Sequence, residues 1–140
     1  MTSAVNAPSP GEKLPASSAG PFLAADLASY AEASGDINPL HLDLAFAQSF
    51  GFSARPVHGM RLLAAFEPML FTWRPDLVVN VLKGQFLTPV IEGQSAALTA
   101  RVVKVEPSED GFVALLRLMA HTEAGAPALM GEARMSPRRS

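Results

Sequence analysis

The chain has 140 residues, of which 49% are hydrophobic and 17% charged, with a formal net charge of −2 and no cysteine. This describes one globular domain with an apolar core, and it excludes a disordered chain, disulfides, thiolate zinc sites and a cysteine nucleophile. Basic residues are scattered except for Arg138 and Arg139, no apolar run reaches the roughly 18–20 residues of a membrane span, and no signal peptide is visible, so nucleic acid and membrane are not expected partners and a cytoplasmic location is expected.

Residues 1–21, rich in Ala, Ser, Pro and Gly, read as a flexible lead-in with a short edge strand before Phe22, and residues 22–140 as the single domain. Residues 22–34 read as a helix, with Leu27, Tyr30 and Ala31 at i, i+3, i+4 and Gly35 as its stop. Pro39 disfavours helix at Asn38, so residues 35–41 form a loop. Asp43 then caps a short helix over about 44–50, closed by Gly51, with Phe46 and Phe50 one turn apart. Residues 52–57 are loop again, extended at Pro56.

From His58 to about Phe71 only Arg61 and Glu67 are charged, which predicts a buried helix, kinked or restarted by Pro68. The second half changes period. Residues 77–88, 96–105, 112–121 and 128–135 read as short strands separated by turn signals, with Leu98, Ala100 and Val102 on the opposite face from Thr99 and Arg101. Helices followed by an antiparallel meander make an α+β domain. A sheet wrapped around the apolar helix leaves an edge that a second copy can cover, so a homodimer is expected.

Chemistry concentrates in a short stretch. A carboxylate and an imidazole on one stiff loop, Asp36 and His41, can share a water and divide general acid–base work between them. Against this stands the plain reading of Asp36-Ile37-Asn38-Pro39 as an Asx-turn opener followed by a packing histidine. A calcium loop is not completed, because no later Gly and Glu follow in register. The three histidines lack metal-ligand spacing, so no metal is expected. His58-Gly59-Met60 stands at a helix start, where free N–H groups attract developing negative charge and Gly59 permits close approach, as an oxyanion hole requires. Equally, Gly59 can serve tight packing alone. Met60 and Leu63 face the same end of the helix and are candidate acyl-pocket residues.

The run Ser34-Gly35-Asp36-Ile37-Asn38-Pro39-Leu40-His41-Leu42-Asp43, followed by Ala47 and then Arg55-Pro56-Val57-His58-Gly59-Met60, resembles the MaoC-like hydratase/dehydratase family. It is most similar there to the (R)-specific enoyl-CoA hydratases with their hydratase 2 motif. Phe86-Leu87-Thr88-Pro89-Val90-Ile91-Glu92-Gly93 resembles the family's bend after its second strand, although Gln94 replaces the usual Asp. The resemblance spans roughly residues 22–135. It implies a hot-dog fold, a long central helix wrapped by a curved antiparallel sheet and usually dimeric. It also implies that Asp36 and His41 hold the catalytic water, that Asn38 braces the loop, that the Gly59 amide polarises the thioester carbonyl, and that His58 lies among the substrate-binding residues. The substrate would be a coenzyme A thioester, or less often an acyl-carrier-protein thioester, with no cofactor.

Two rivals remain. A hot-dog thioesterase would use an acidic residue of the central helix, and Glu67 is the one candidate. A non-catalytic acyl-binding module would need no Asp36–His41 pair. Arg61 or Arg74 can meet a polar acyl group, or can simply face the surface or an ion-pair partner.

Overall fold

The computed structural model describes residues 5–139. Its elements run β1 (Ser17–Ala19), α1 (Ala24–Ser34), a 3-10 turn at Pro39–His41, α2 (Leu44–Ser49), α3 (Gly59–Ala64), α4 (Phe66–Trp73), β2 (Leu77–Phe86), β3 (Ala96–Ser108), β4 (Gly111–His121) and β5 (Pro127–Pro137). The four long strands and β1 form one antiparallel sheet in the order β1-β3-β4-β5-β2.

Period-two patterning builds the sheet. Ala96, Leu98, Ala100 and Val102 of β3 are buried while Ala97, Thr99 and Arg101 face out, and β4 repeats the pattern with Phe112, Ala114, Leu116, Leu118 and Ala120. Register shifts at Val79/Val81, Val102/Lys104 and Ala120/His121 mark irregularities that bend and twist the strands. Their inner faces join Leu62, Leu63, Phe66, Met69 and Leu70 of the central helix in one core. This is the α+β, hot-dog arrangement that the sequence implies.

The central helix is interrupted, as Pro68 predicts. Proline lacks an N–H and cannot bond back to residue 64. The chain tightens at Ala65, whose N–H bonds the Leu62 carbonyl, and α4 restarts at Phe66. The helix is less fully buried than its composition suggests, because Met60 and Phe71 are each 57% exposed.

Two boundaries differ from expectation. The edge strand expected before Phe22 is β1, but the segment ahead of it, from residue 5, is not a detached lead-in. Leu14 is buried, its N–H bonds the Ala100 carbonyl, and Gly11 and Glu12 exchange bonds with Val102, so the segment lines the open side of β3. An open strand edge recruits backbone partners whatever its neighbours' composition, and composition carried no sign of that. Residues 1–4 of the lead-in lie outside the described residues. The turn expected over 106–111 is shorter, because Ser108 already pairs with Gly111 and Pro107 sits within β3. Beyond Val102 that strand has no second neighbour among the described residues, so the missing proline N–H is tolerated there. No helix among the described residues is long and apolar enough to cross a membrane.

Candidate active site

The loop between α1 and α2 is shaped by its own polar side chains. Gly35, at φ +79°, ends α1 and turns the chain. Ser34 Oγ then accepts from the Asp36 N–H at 3.1 Å, Asp36 Oδ1 from the Asn38 N–H at 3.3 Å, and Asn38 Oδ1 from the Leu40 N–H at 3.0 Å. Each bond spans two residues, so the segment folds as a series of small turns. The last places Asn38 as the cap of the 3-10 turn that carries His41, and Asp43 Oδ1 caps α2 through the Phe46 N–H at 3.1 Å. The Asp36 carboxylate is left exposed and His41 half-buried.

His41 is fixed from outside the loop. Its Nδ1 lies 2.7 Å from the Pro56 carbonyl. A carbonyl oxygen only accepts, so Nδ1 carries the hydrogen and in the neutral ring Nε2 keeps the lone pair. Pro56 is itself held by a bridge to Ile91, and Val57 donates to the Val90 carbonyl at 2.7 Å. Beside them Arg55 and Glu92 pair at 2.9 Å through Nη2 and Oε2 and again through Nε and Oε1, and Arg55 Nη1 reaches the Leu42 carbonyl at 3.2 Å. The pairing lowers the Glu92 carboxyl below its usual range and raises the Arg55 guanidinium. This clamp ties three segments together: the residue after His41, the approach to α3, and the bend at 89–93. Its members are 37 positions apart. Complementary charges in two otherwise uncharged bends were the only signal for it, and that signal names no geometry.

His58 closes the site from behind. It is 1% exposed, and its Nε2 lies 3.1 Å from the Asp36 carbonyl. Its ring stacks on His41 with centroids 3.9 Å apart and planes at 25°, and meets the edge of Tyr30 at 4.7 Å. Burial, the largest influence, pushes its pKa down. So deep a ring offers almost no surface of its own, and the sequence did not indicate that burial.

Asp36, His41 and His58 each offer a ligand atom within 4.8 Å of the others, a spacing that admits an ion. The donor geometry fits one poorly. Imidazole lone pairs lie in the ring plane, and two nearly parallel stacked rings do not aim theirs at a common point. The planes of the two rings lie only 25° apart.

Gly59 is the first residue of α3, so its N–H has no partner within the helix. A side chain here would strike the Phe86 ring, whose atoms lie 2.9 Å from the position a Cβ would take. Met60 is exposed, whereas Leu63 is buried and packs toward Gly84. Arg61 lies over the Phe22 ring at 5.4 Å, and Arg74 pairs with Asp76 at 2.8 Å and donates to the Asn6 carbonyl at 2.6 Å, so Arg74 is occupied within the chain. Glu67 is exposed on α4 and is not one of the three clustered groups.

Known proteins share this architecture. The model of the MaoC like domain matches residues 5–119. The (R)-specific enoyl-CoA hydratase of Aeromonas caviae is 39% identical over 115 residues, covering 80% of this chain and 84% of that one. The mitochondrial 3-hydroxyacyl-[acyl-carrier-protein] dehydratase of Arabidopsis thaliana is 29% identical over 92 residues, covering 66% of this chain and 55% of its own. Among solved structures, the (R)-hydratase from A. caviae involved in PHA biosynthesis superposes with a TM-score of 0.85 at 31% identity, over 96% of this chain and 100% of that one. An unliganded R-hydratase from Pseudomonas aeruginosa gives 0.78 at 26% identity, over 94% and 83%. With the family model covering most of its length, the chain belongs to the MaoC-like domain family.

Proposed function

We propose that this protein is an (R)-specific enoyl-CoA hydratase and, in reverse, a 3-hydroxyacyl-thioester dehydratase, with Asp36 and His41 as its acid–base pair. The observation that carries the reading is the His41 Nδ1–Pro56 carbonyl bond at 2.7 Å. It leaves the Nε2 lone pair free at the far edge of the ring, beside a carboxylate that the loop holds exposed.

A water that donates one O–H to the Asp36 carboxylate and the other to His41 Nε2 points its oxygen lone pair outward. The thioester carbonyl makes C3 of a trans-2-enoyl chain electrophilic. As the water oxygen bonds to C3, one member of the pair takes its proton, the C2–C3 π electrons move toward the carbonyl, and the pair returns a proton to C2. Both transfers come from one side of the substrate, so addition is syn. The charge that builds on the thioester oxygen is met by the Gly59 N–H at the start of α3, a donor already in place. Met60 and the first turn of α3 border the acyl chain. The reaction is redox-neutral and needs no cofactor, and the stacked imidazoles favour a metal-free mechanism.

The protein acts as a homodimer in this reading. Strand β2 pairs only with β5 among the described residues, and Val81, Phe86 and Leu87 along that edge are exposed. A second copy supplies the missing neighbour.

Incubation with crotonyl-CoA tests the activity. Loss of enoyl absorbance without release of free thiol is expected. Thiol release abolished by Glu67→Gln would replace the hydratase with a thioesterase, and binding without turnover would leave a binding module. Exhaustive treatment with a chelator is expected to leave the rate unchanged, and a rate restored only by added divalent ion would overturn the metal-free reading. Sedimentation at micromolar concentration should show a dimer.

A further inference from the structure

Three facts about His58 lie outside the chemistry above. Its ring is buried, it bonds the backbone of one member of the acid–base pair, and it stacks on the side chain of the other. Its Nε2 faces a carbonyl, which only accepts, so Nε2 carries the hydrogen and Nδ1 the lone pair. That Nδ1 is buried with no hydrogen-bond partner among the described residues. A proton placed on it would find no acceptor, and the buried charge would lie against a second imidazole.

We infer that His58 is the positioning residue of this site, a permanently neutral imidazole in the tautomer opposite to that of His41, whose Nε2–H holds the Asp36 backbone while its face sets the plane of His41. The inference rests on the proposed hydratase reading and deepens it. The groups facing His58 are Asp36 and His41 from the loop and Tyr30 from α1. Burial, the largest influence, opposes a charged His58, as does His41, while the bond to the Asp36 carbonyl and the Asp36 carboxylate favour one. When His41 takes the proton of the water, it becomes an imidazolium stacked on a neutral ring. Were His58 charged as well, two cations would face each other at 3.9 Å.

Two variants separate the parts. His58→Gln places an amide N–H near the position of Nε2 and keeps the bond to the Asp36 carbonyl. His58→Phe keeps a flat ring under His41 but leaves that carbonyl without its donor. His58→Phe should lower kcat by about 10²-fold, the usual consequence of displacing a reacting group by an ångström, with KM little changed. His58→Gln, which keeps the bond but loses the stacked face, should recover part of that loss. Normal kcat in both variants, or losses confined to KM, would overturn the positioning role. The acid limb of kcat/KM should contain no step from His58, so its shape should be unchanged in His58→Gln, and a limb that loses a proton in that variant would count against a neutral His58.

Nitrogen-15 spectra of the full-length protein decide the tautomers without any assay. His58 should show a protonated Nε2 and a bare Nδ1 that stay constant between about pH 5 and 8, where free histidine titrates, while His41 shows the reverse tautomer. A His58 that titrates in that window, or carries its hydrogen on Nδ1, would refute the inference even in a fully active enzyme. Failure of crotonyl-CoA hydration in the wild type would instead count against the hydratase reading and leave the spectra to judge this one.

Discussion

Strand β4 and the loop at 34–43 stand at opposite ends of the ways a chain can be held in shape. Along β4, Phe112, Ala114, Leu116, Leu118 and Ala120 all point inward and are buried. None of residues 34–43 is fully buried, yet the loop makes a side-chain-to-backbone bond at almost every second position. Burying one large apolar side chain contributes about 1.5–3 kcal/mol, without regard to direction. A hydrogen bond contributes about 0.5–1.5 kcal/mol net but fixes an angle. The sheet therefore supplies stability and the loop supplies aim. Damage to the first should unfold the protein, while damage to the second should leave it folded and slow.

The largest expected effect lies in the core. Phe66 is 0% exposed at the restart of the central helix, and Phe66→Ala should cost about 3–5 kcal/mol through lost burial and the cavity left behind. Denaturant titration would measure this, and a small loss would mean that the two halves of the helix relax into the gap. Next come Asp36→Asn and His41→Gln, which should each lower kcat by about 10²-fold or more with little change in unfolding free energy. Their double mutant should lose little beyond the worse single if, as proposed, both act on one water. A folded His41→Gln protein with near-normal hydration would break the comparison outright.

A smaller effect is expected at the clamp between the two regions. Glu92→Gln should destabilise by about 1.5 kcal/mol at neutral pH, the lower end for a bond to a charged partner. Its pH dependence has a definite sign. Arg55 holds the folded Glu92 carboxyl below 4.5, so the stabilisation is fully present above that value and is lost as pH falls through the lower folded pKa. The wild type and variant should therefore converge in acid, and a gap that persisted there would assign the effect to packing. The smallest change is Asn38→Ala, which removes one cap and about 1 kcal/mol or less. Its signature should be kcat falling more than stability, because the lost bond orients His41.

The division also explains what could be read from the sequence. Alternation along β3, the Asp43 cap, the stop at Gly35 and the break caused by Pro68 are local rules, and each appears where its residues predict it. The nearness of Asp36 and His41 was legible for the same reason, the two being five apart on one loop. The Pro56 carbonyl that orients His41 was not, because a backbone oxygen has no letter of its own. The Arg55–Glu92 clamp and the burial of His58 depend on which distant segments meet. The pairing of residues 11–14 with β3 depends on an open strand edge rather than on their own composition.

One place in the sheet has a consequence for anyone who would reshape this protein. Gly84 of β2 and Gly131 of β5 sit directly across from each other. A methyl group on Gly131 would lie 2.5 Å from the Lys83 carbonyl, and one on Gly84 would press on Leu129 and Leu63. The first obstacle is backbone and cannot yield, while the second is a pair of leucine side chains that can shift slightly. In a saturation library Gly131 should tolerate almost nothing and Gly84 little beyond alanine, while Lys83 and Gln85, exposed on either side of Gly84, accept most residues. Evolution of new variants would have to route around this pair of missing side chains, so the strand that borders the helix can change its charge freely but not its thickness.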